Sequence, residues 1–188
     1  MSTADYPGAI WMPAHPSNYR SGRTVTAPTQ LVCHCTDGHG IAQDVGEMWS
    51  KPVIGNDGKP RPSSAHFCVG QDGTVIQAVR ISDTAYHAHT ANSTSIGIEH
   101  CARTPRELGP NDSGLPPSDA LYVATAKLQA WLCVTLDIQP SRVTILGHAE
   151  ADPHTTHSLC PVGCGFDWPR VMQMIAAEYQ NLVPASMG

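Results

Sequence analysis

Short runs of strand period and longer stretches of helical period follow one another along this chain, and that alternation restricts its fold more than any other feature. Leu31, Cys33 and Cys35 alternate with Val32, His34 and Thr36, the two-residue period of a buried strand over 30–36. Ile41, Val45, Met48 and Trp49 recur at helical spacing over 41–50. Residues 65–69 and 74–79 are apolar and β-branched and are joined through Gly70, Gln71, Asp72 and Gly73. Asp-Gly supplies a position with positive φ there, so a hairpin is expected. A strand over 95–101 would put Gly97, Glu99 and Cys101 on one face and Ile96, Ile98 and His100 on the other. Ser118 is a good N-cap for one long helix to about Leu136, with Leu121, Ala124, Leu128, Trp131 and Leu132 as its apolar stripe. Arg142 to Leu146 reads as a short buried strand ending just before Gly147 and His148. Residues 103–117 and the His, Cys and Gly-rich stretch 149–166 read as loops, and Asp167 with Pro169 opens a last helix through about Tyr179. Strands interleaved with helices predict an α/β fold, a single domain with a central mixed sheet flanked by helices.

The length of 188 residues fits one such domain. Pro7, Pro13, Pro16 and Pro28 interrupt residues 1–29, which are expected to form an extended arm on a domain over 30–182. Charged residues make up 14% of the chain and the net charge is −5, without a run of Lys or Arg. Charge-driven disorder is thereby excluded, and a phosphate-tracking nucleic-acid surface has no support. No stretch of eighteen apolar residues occurs, and the first ten residues lack the charged and apolar pattern of an export signal. The reading is a soluble monomer without a membrane span.

Seven cysteines without an export signal favour thiols or metal ligands over a disulfide framework. A structural zinc on Cys33, Cys35, Cys160 and Cys164 is disfavoured because the first pair lacks the usual gap. Cys33, Cys35, Cys68, Cys101 and Cys133 read as buried free thiols. The ten histidines are the anomaly. A catalytic zinc needs three protein ligands and one open position, and His34 and His148 each lie at a strand end, where a rigid sheet can aim two distant side chains at one point. Spacing alone does not select them.

A resemblance does. The segments VCHCTDG (32–38), SSAHFCVGQDGTVIQAV (63–79), TAYHAHTANSTSIGIEH (84–100), LGHAEADPHTTHSLCP (146–161) and FDWPRV (166–171) together resemble the zinc-dependent N-acetylmuramoyl-L-alanine amidases, which share the peptidoglycan-recognition-protein fold. The opening AIWMPAHPSNYRSGR (9–23) and TTHSLCP are similar to the amidase domains of phage endolysins. The resemblance implies one zinc ion per chain on His34, His148 and Cys160, with Cys164 and Asp152 as alternatives for the third ligand. It implies Glu99 as general base, since Ala65 stands where other branches carry a tyrosine. Related endolysins place a His or Lys two residues before the third ligand, but here Ser158 is there and His157 is three before, so His157 is assigned to stabilise charge on the substrate carbonyl. Tyr86, His87 and Asn92 are implied as substrate contacts. His66 is expected to fill a sheet face, His154 to lie on a surface loop, and His15, His39 and His100 to be structural or solvent-facing. The implied function is hydrolysis of the amide between N-acetylmuramic acid and L-alanine in peptidoglycan, as in an endolysin. The alternatives are an intracellular amidase of anhydromuropeptides and a recognition module without catalysis.

Overall fold

In a computed structural model, residues 3–38, 40–105 and 114–183 are described, so His39 and residues 106–113 of the expected loop lie outside the described residues. The strands are β1 (Ala9–Trp11), β2 (Tyr19–Arg20), β3 (Gln30–Cys35), β4 (Phe67–Val69), β5 (Val75–Gln77), β6 (Thr84–Ala85), β7 (Ser95–His100) and β8 (Ile145–Gly147). The helices are α1 (Ala42–Trp49), α2 (Asp119–Thr135), α3 (His148–Ala151) and α4 (Trp168–Leu182). Six strands form one sheet in the order β1-β5-β4-β7-β3-β8, and β2 pairs with β6 in a separate ribbon. All neighbours in the large sheet run parallel except the β4–β5 hairpin, so the sheet is mixed, as the sequence predicts. Gly73 takes φ +83° in the hairpin turn, the conformation expected of Asp-Gly.

The two faces of the sheet have different tasks. Leu31, Cys33, Phe67, Val69, Ile96 and Ile98 pack on one face against Leu121, Leu128 and Leu132 of α2 and Val171 and Ile175 of α4. Because α2 is covered by the sheet on one side and α4 on the other, its buried residues extend past the expected stripe to Tyr122, Thr125, Ala126, Gln129 and Cys133. On the opposite face, Ala42 and Trp49 of α1 cover Cys68 and Ile76. Val32, His34, Gly97 and Glu99 lie on that same face, Val32 buried against Ala88 and Ala91 and Gly97 beneath the His87 ring.

The amino-terminal segment contributes β1 as an edge strand beside β5 and β2 to the ribbon. Arg23, at the end of that segment, is half-buried. It donates from Nε to the Ile81 carbonyl at 2.7 Å and from Nη1 to those of Ser93 and Ser95 at 3.0 and 3.1 Å. Burial lowers its pKa to about 10.

Two elements differ from expectation. β8 begins at Ile145 rather than Arg142, because the Ser141 carbonyl accepts from the N–H groups of Thr144 and Ile145 and closes a turn there. The stretch after His148, expected as loop, opens with the single helical turn α3, which is tied by the Glu150 carboxylate accepting from the Gly147 N–H at 2.6 Å. Among the described residues no helix is long and apolar enough to cross a membrane.

The N-cap and the core give stability changes of different size. Ser118 Oγ accepts from the Leu121 N–H at 3.1 Å, so Ser118→Ala should cost about 1 kcal/mol. Leu128 is fully buried, and Leu128→Ala should cost about 2–5 kcal/mol. Urea titration of both variants checks the order; an equal loss would show that the cap carries more than one helix end.

Candidate metal centre and cleft

Strand register assembles the site. In the parallel β3–β7 pair His34 stands opposite Glu99, and in the β3–β8 pair Cys33 stands opposite Gly147, so His148 follows one residue further on. His34 therefore has a carboxylate on one flank and a second imidazole on the other. The loop carrying Cys160 lies directly on Gly147, where a Cβ would meet Pro161 Cδ at 3.0 Å and the Cys160 carbonyl oxygen at 3.3 Å. A side chain at this position would press the loop back by a few tenths of an ångström. The Cys35 N–H donates to Cys160 Sγ at 3.2 Å, and one donor atom each from His34, His148 and Cys160 then lies within 4.8 Å of the others. A four-coordinate ion with bonds of about 2.0–2.3 Å draws together a set of that span. This is the one group of its kind among the described residues. Cys164 instead donates its thiol to the Pro161 carbonyl at 2.9 Å, and Asp152 is engaged by His89 at 2.6 Å.

The donor set has metal-binding chemistry. Imidazole rings follow one another from His66 through His87 (centroids 5.8 Å apart), His34 (5.1 Å) and His148 (4.5 Å) to His157, which stacks on His148 at 5.5 Å. Burial, and then the neighbouring rings, hold His34 and His87 well below the ordinary histidine range. Burial and then His157 lower His148. These rings are neutral at pH 7, the state a metal ligand requires. His34 uses Nε2 against His87 Nδ1 at 3.0 Å, which leaves its Nδ1 without a hydrogen bond among the described residues. Burial pushes the Cys160 thiol up to about 12, and an ion at this position would reverse that by taking the thiolate. Burial also pushes Glu99 up to about 8, and its Oε2 is buried with no hydrogen-bond partner. Two neutral imidazoles, a thiol and an unpaired carboxyl all gain from a nearby cation.

A cleft of about 420 Å³ opens beside this group. His34, Glu99, His148, His157 and Cys160 line its floor, and Asp44, Met48 and Trp49 of α1 face Tyr86 and His87 across it. His87 lies flat on Gly97, where a Cβ would be 2.5 Å from its Cγ, so the glycine in this strand makes room for the ring. Asn92 is elsewhere. It does not line the cleft, and its Oδ1 accepts from the His87 and Ala88 N–H groups at 2.9 and 2.6 Å, holding the turn that carries His87. His66 is fully buried, with Nδ1 accepting from the Gly97 N–H at 3.0 Å, and so fills the sheet face. His100 donates from Nδ1 to the His34 carbonyl at 2.8 Å, and His154 is exposed. Sequence reasoning did not find the wall formed by α1 or the pairing of His89 with Asp152. The position of Asp152 four residues after His148 was the available signal, hidden because α3 reads as loop.

A family model described as N-acetylmuramoyl-L-alanine amidase matches residues 24–162. N-acetylmuramoyl-L-alanine amidase A of Achromobacter lyticus is 27% identical over 161 residues, covering 77% of this chain and 81% of the relative. The crystal structure of a selenomethionine derivative of AmpD superposes with a TM-score of 0.70 at 22% identity, covering 93% of this chain and 98% of that one. A mutant endolysin from Bacillus subtilis superposes at 0.64 and 19% identity, covering 89% and 97%. The two superpositions bear on the fold alone. The family match takes in five of the six strands of the large sheet, the cleft and all three members of the His34, His148 and Cys160 group, and on that ground the chain belongs to the N-acetylmuramoyl-L-alanine amidase family and is an enzyme of that class.

Proposed function

We propose that this chain, acting as a monomer with one zinc ion, hydrolyses the amide between N-acetylmuramic acid and L-alanine in the intact cell wall, in the manner of an endolysin. The observation that carries the reading is the convergence of His34, His148 and Cys160 beside an unpaired carboxyl on the floor of an open cleft. A recognition module without catalysis has no use for that set.

His34, His148 and Cys160 would hold the zinc. When bound there, zinc supplies a Lewis acid and lowers the pKa of a bound water toward about 7. Glu99, one strand over from His34, takes the proton of the attacking water and hands it to the leaving amine of L-alanine. A cation beside it draws its pKa down from the value burial imposes and keeps the base form available. His157 donates an N–H toward the carbonyl oxygen as negative charge develops there. Tyr86, His87 and the α1 wall orient the lactyl and peptide portions, while Asn92 contributes by holding the His87 turn.

Metal content and release of L-alanine amino termini from purified wall, before and after chelation, test this reading. About one zinc per chain with chelator-sensitive release is expected; zinc-free protein that still releases amine would overturn it. Parallel assays on intact wall and soluble anhydromuropeptide separate lysis from recycling, and cleavage of the soluble substrate alone would replace the endolysin role. His34→Ala should lose the metal. His157→Ala should keep it and lose about 100- to 1000-fold in turnover; full rate in that variant would remove His157 from the chemistry.

Glu99 also carries a stability signature. An acid whose pKa rises from 4.5 to about 8 on folding keeps its proton more tightly in the folded state. Its carboxylate therefore does not weigh on the fold below pH 4.5, and the penalty grows through pH 8 and then levels off. Metal-free Glu99→Gln should be inactive once reloaded yet melt above metal-free wild type at pH 8, with the gap closing toward pH 4.5. Melting curves across that range decide it, and a gap independent of pH would sink the assignment.

A further inference from the structure

The turn from Tyr86 to Asn92 carries two histidines, and the mechanism above uses only the first. The side chain of His89 is 77% exposed, yet its Nδ1 lies 2.6 Å from Oδ2 of Asp152, a carboxylate with no exposed surface. The same Oδ2 stands 4.0 Å from Nε2 of His148, a buried nitrogen without a hydrogen-bond partner. Asp152 follows His148 by four residues across the single turn of α3, a spacing at which side chains share a helix face. Its other oxygen accepts from the His154 N–H at 3.1 Å. His89 holds its position with φ +39°, in the left-handed region that a residue with a Cβ adopts at a cost. Strain of that kind persists where the surroundings hold it, and the turn around His89 is tied by the Asn92 side-chain oxygen, which accepts from the His87 and Ala88 N–H groups.

We propose that Asp152, braced from outside by His89, is a positioning residue for His148. It accepts the Nε2–H of His148 and so fixes the tautomer and ring plane with which His148 offers its other nitrogen to the metal. This rests on the reading of His34, His148 and Cys160 as ligands. A separation of 4.0 Å is beyond hydrogen-bond reach, so the pair closes as the metal seats, with His89 keeping Asp152 in place. One turn of chain then supports both histidine ligands from behind, His34 through His87 and His148 through His89 and Asp152. Outer carboxylate partners of this kind raise metal affinity about 10- to 100-fold.

The test is metal binding rather than turnover. Wild type, Asp152→Asn, Asp152→Ala, His89→Ala and His89→Gln are stripped of metal, then titrated with zinc against a chromophoric chelator and with cobalt(II) to record its visible absorption. Zinc affinity should fall about 10- to 100-fold in Asp152→Ala, with a changed cobalt spectrum. The fall should be smaller in Asp152→Asn, which keeps an acceptor oxygen. His89→Ala should lose affinity and His89→Gln should regain part of it, because the carboxamide N–H can still donate to Asp152. Melting of the metal-free proteins controls for folding, and if Asp152→Ala does not fold, Asp152→Asn and His89→Ala decide the matter. Wild-type affinity and cobalt spectrum in the Asp152 variants would overturn the inference, as would lowered metal-free stability with unchanged affinity. A wild type that takes up neither metal would overturn the ligand reading and this inference with it.

Discussion

The parallel pairing of β3 with β7 on one side and β8 on the other is the constraint on which the site depends. It sets His34 opposite Glu99 and delivers His148 one residue beyond the partner of Cys33. Side chains alternate faces along a strand, so a slip of one residue would turn His34 into the α2 core and bring Cys33 or Cys35 to the cleft. The core guards against that slip. Leu31 and Cys33 are buried under α2 and α4 together with Ile96 and Ile98, and a slip by one residue would take them out of that core.

Around that frame the protein gathers groups that suit each other only in the presence of a cation. Five imidazole rings stand in a row, four of which, His66, His87, His34 and His148, are held below the ordinary histidine range chiefly by burial, and a carboxyl and a thiol beside them are both pushed upward by burial. Stability given up at this point is function stored, because each of these groups is relieved by the same positive charge. The rest of the fold has to compensate, and the dense packing of α2 between sheet and α4 is where it does so.

Much of this was legible in the sequence for identifiable reasons. β3, the hairpin, β7, α2 and α4 announce themselves by period, by Asp-Gly and by the caps Ser118 and Asp167, since local chemistry and global packing agree there. β1 is three residues long and exists only through its edge pairing, and α3 is a single turn, so neither had enough residues to show a period, while β8 is read from the sequence but is trimmed at its start by a hydroxyl-rich turn. Within the site, His34, His148 and Cys160 were named by resemblance, because residues so distant in sequence meet only through sheet register and through the contact of the late loop with Gly147. Asn92, a substrate contact by the resemblance, has its side-chain oxygen taken by the His87 and Ala88 N–H groups. Asp152, an alternative third ligand by the resemblance, has its carboxylate engaged by His89.

The position of Arg23 bears on how little of this chain can stand alone. The segment matched by the family model begins at residue 24 and ends at residue 162. A chain trimmed to those limits would lack the guanidinium that gathers the carbonyls of Ile81, Ser93 and Ser95, the residues bracketing the turn that carries His87 and His89. It would also lack β1 at the sheet edge and α4 over the core. The boundaries within which the family is recognisable are therefore narrower than those of the smallest piece that would hold its own active site together.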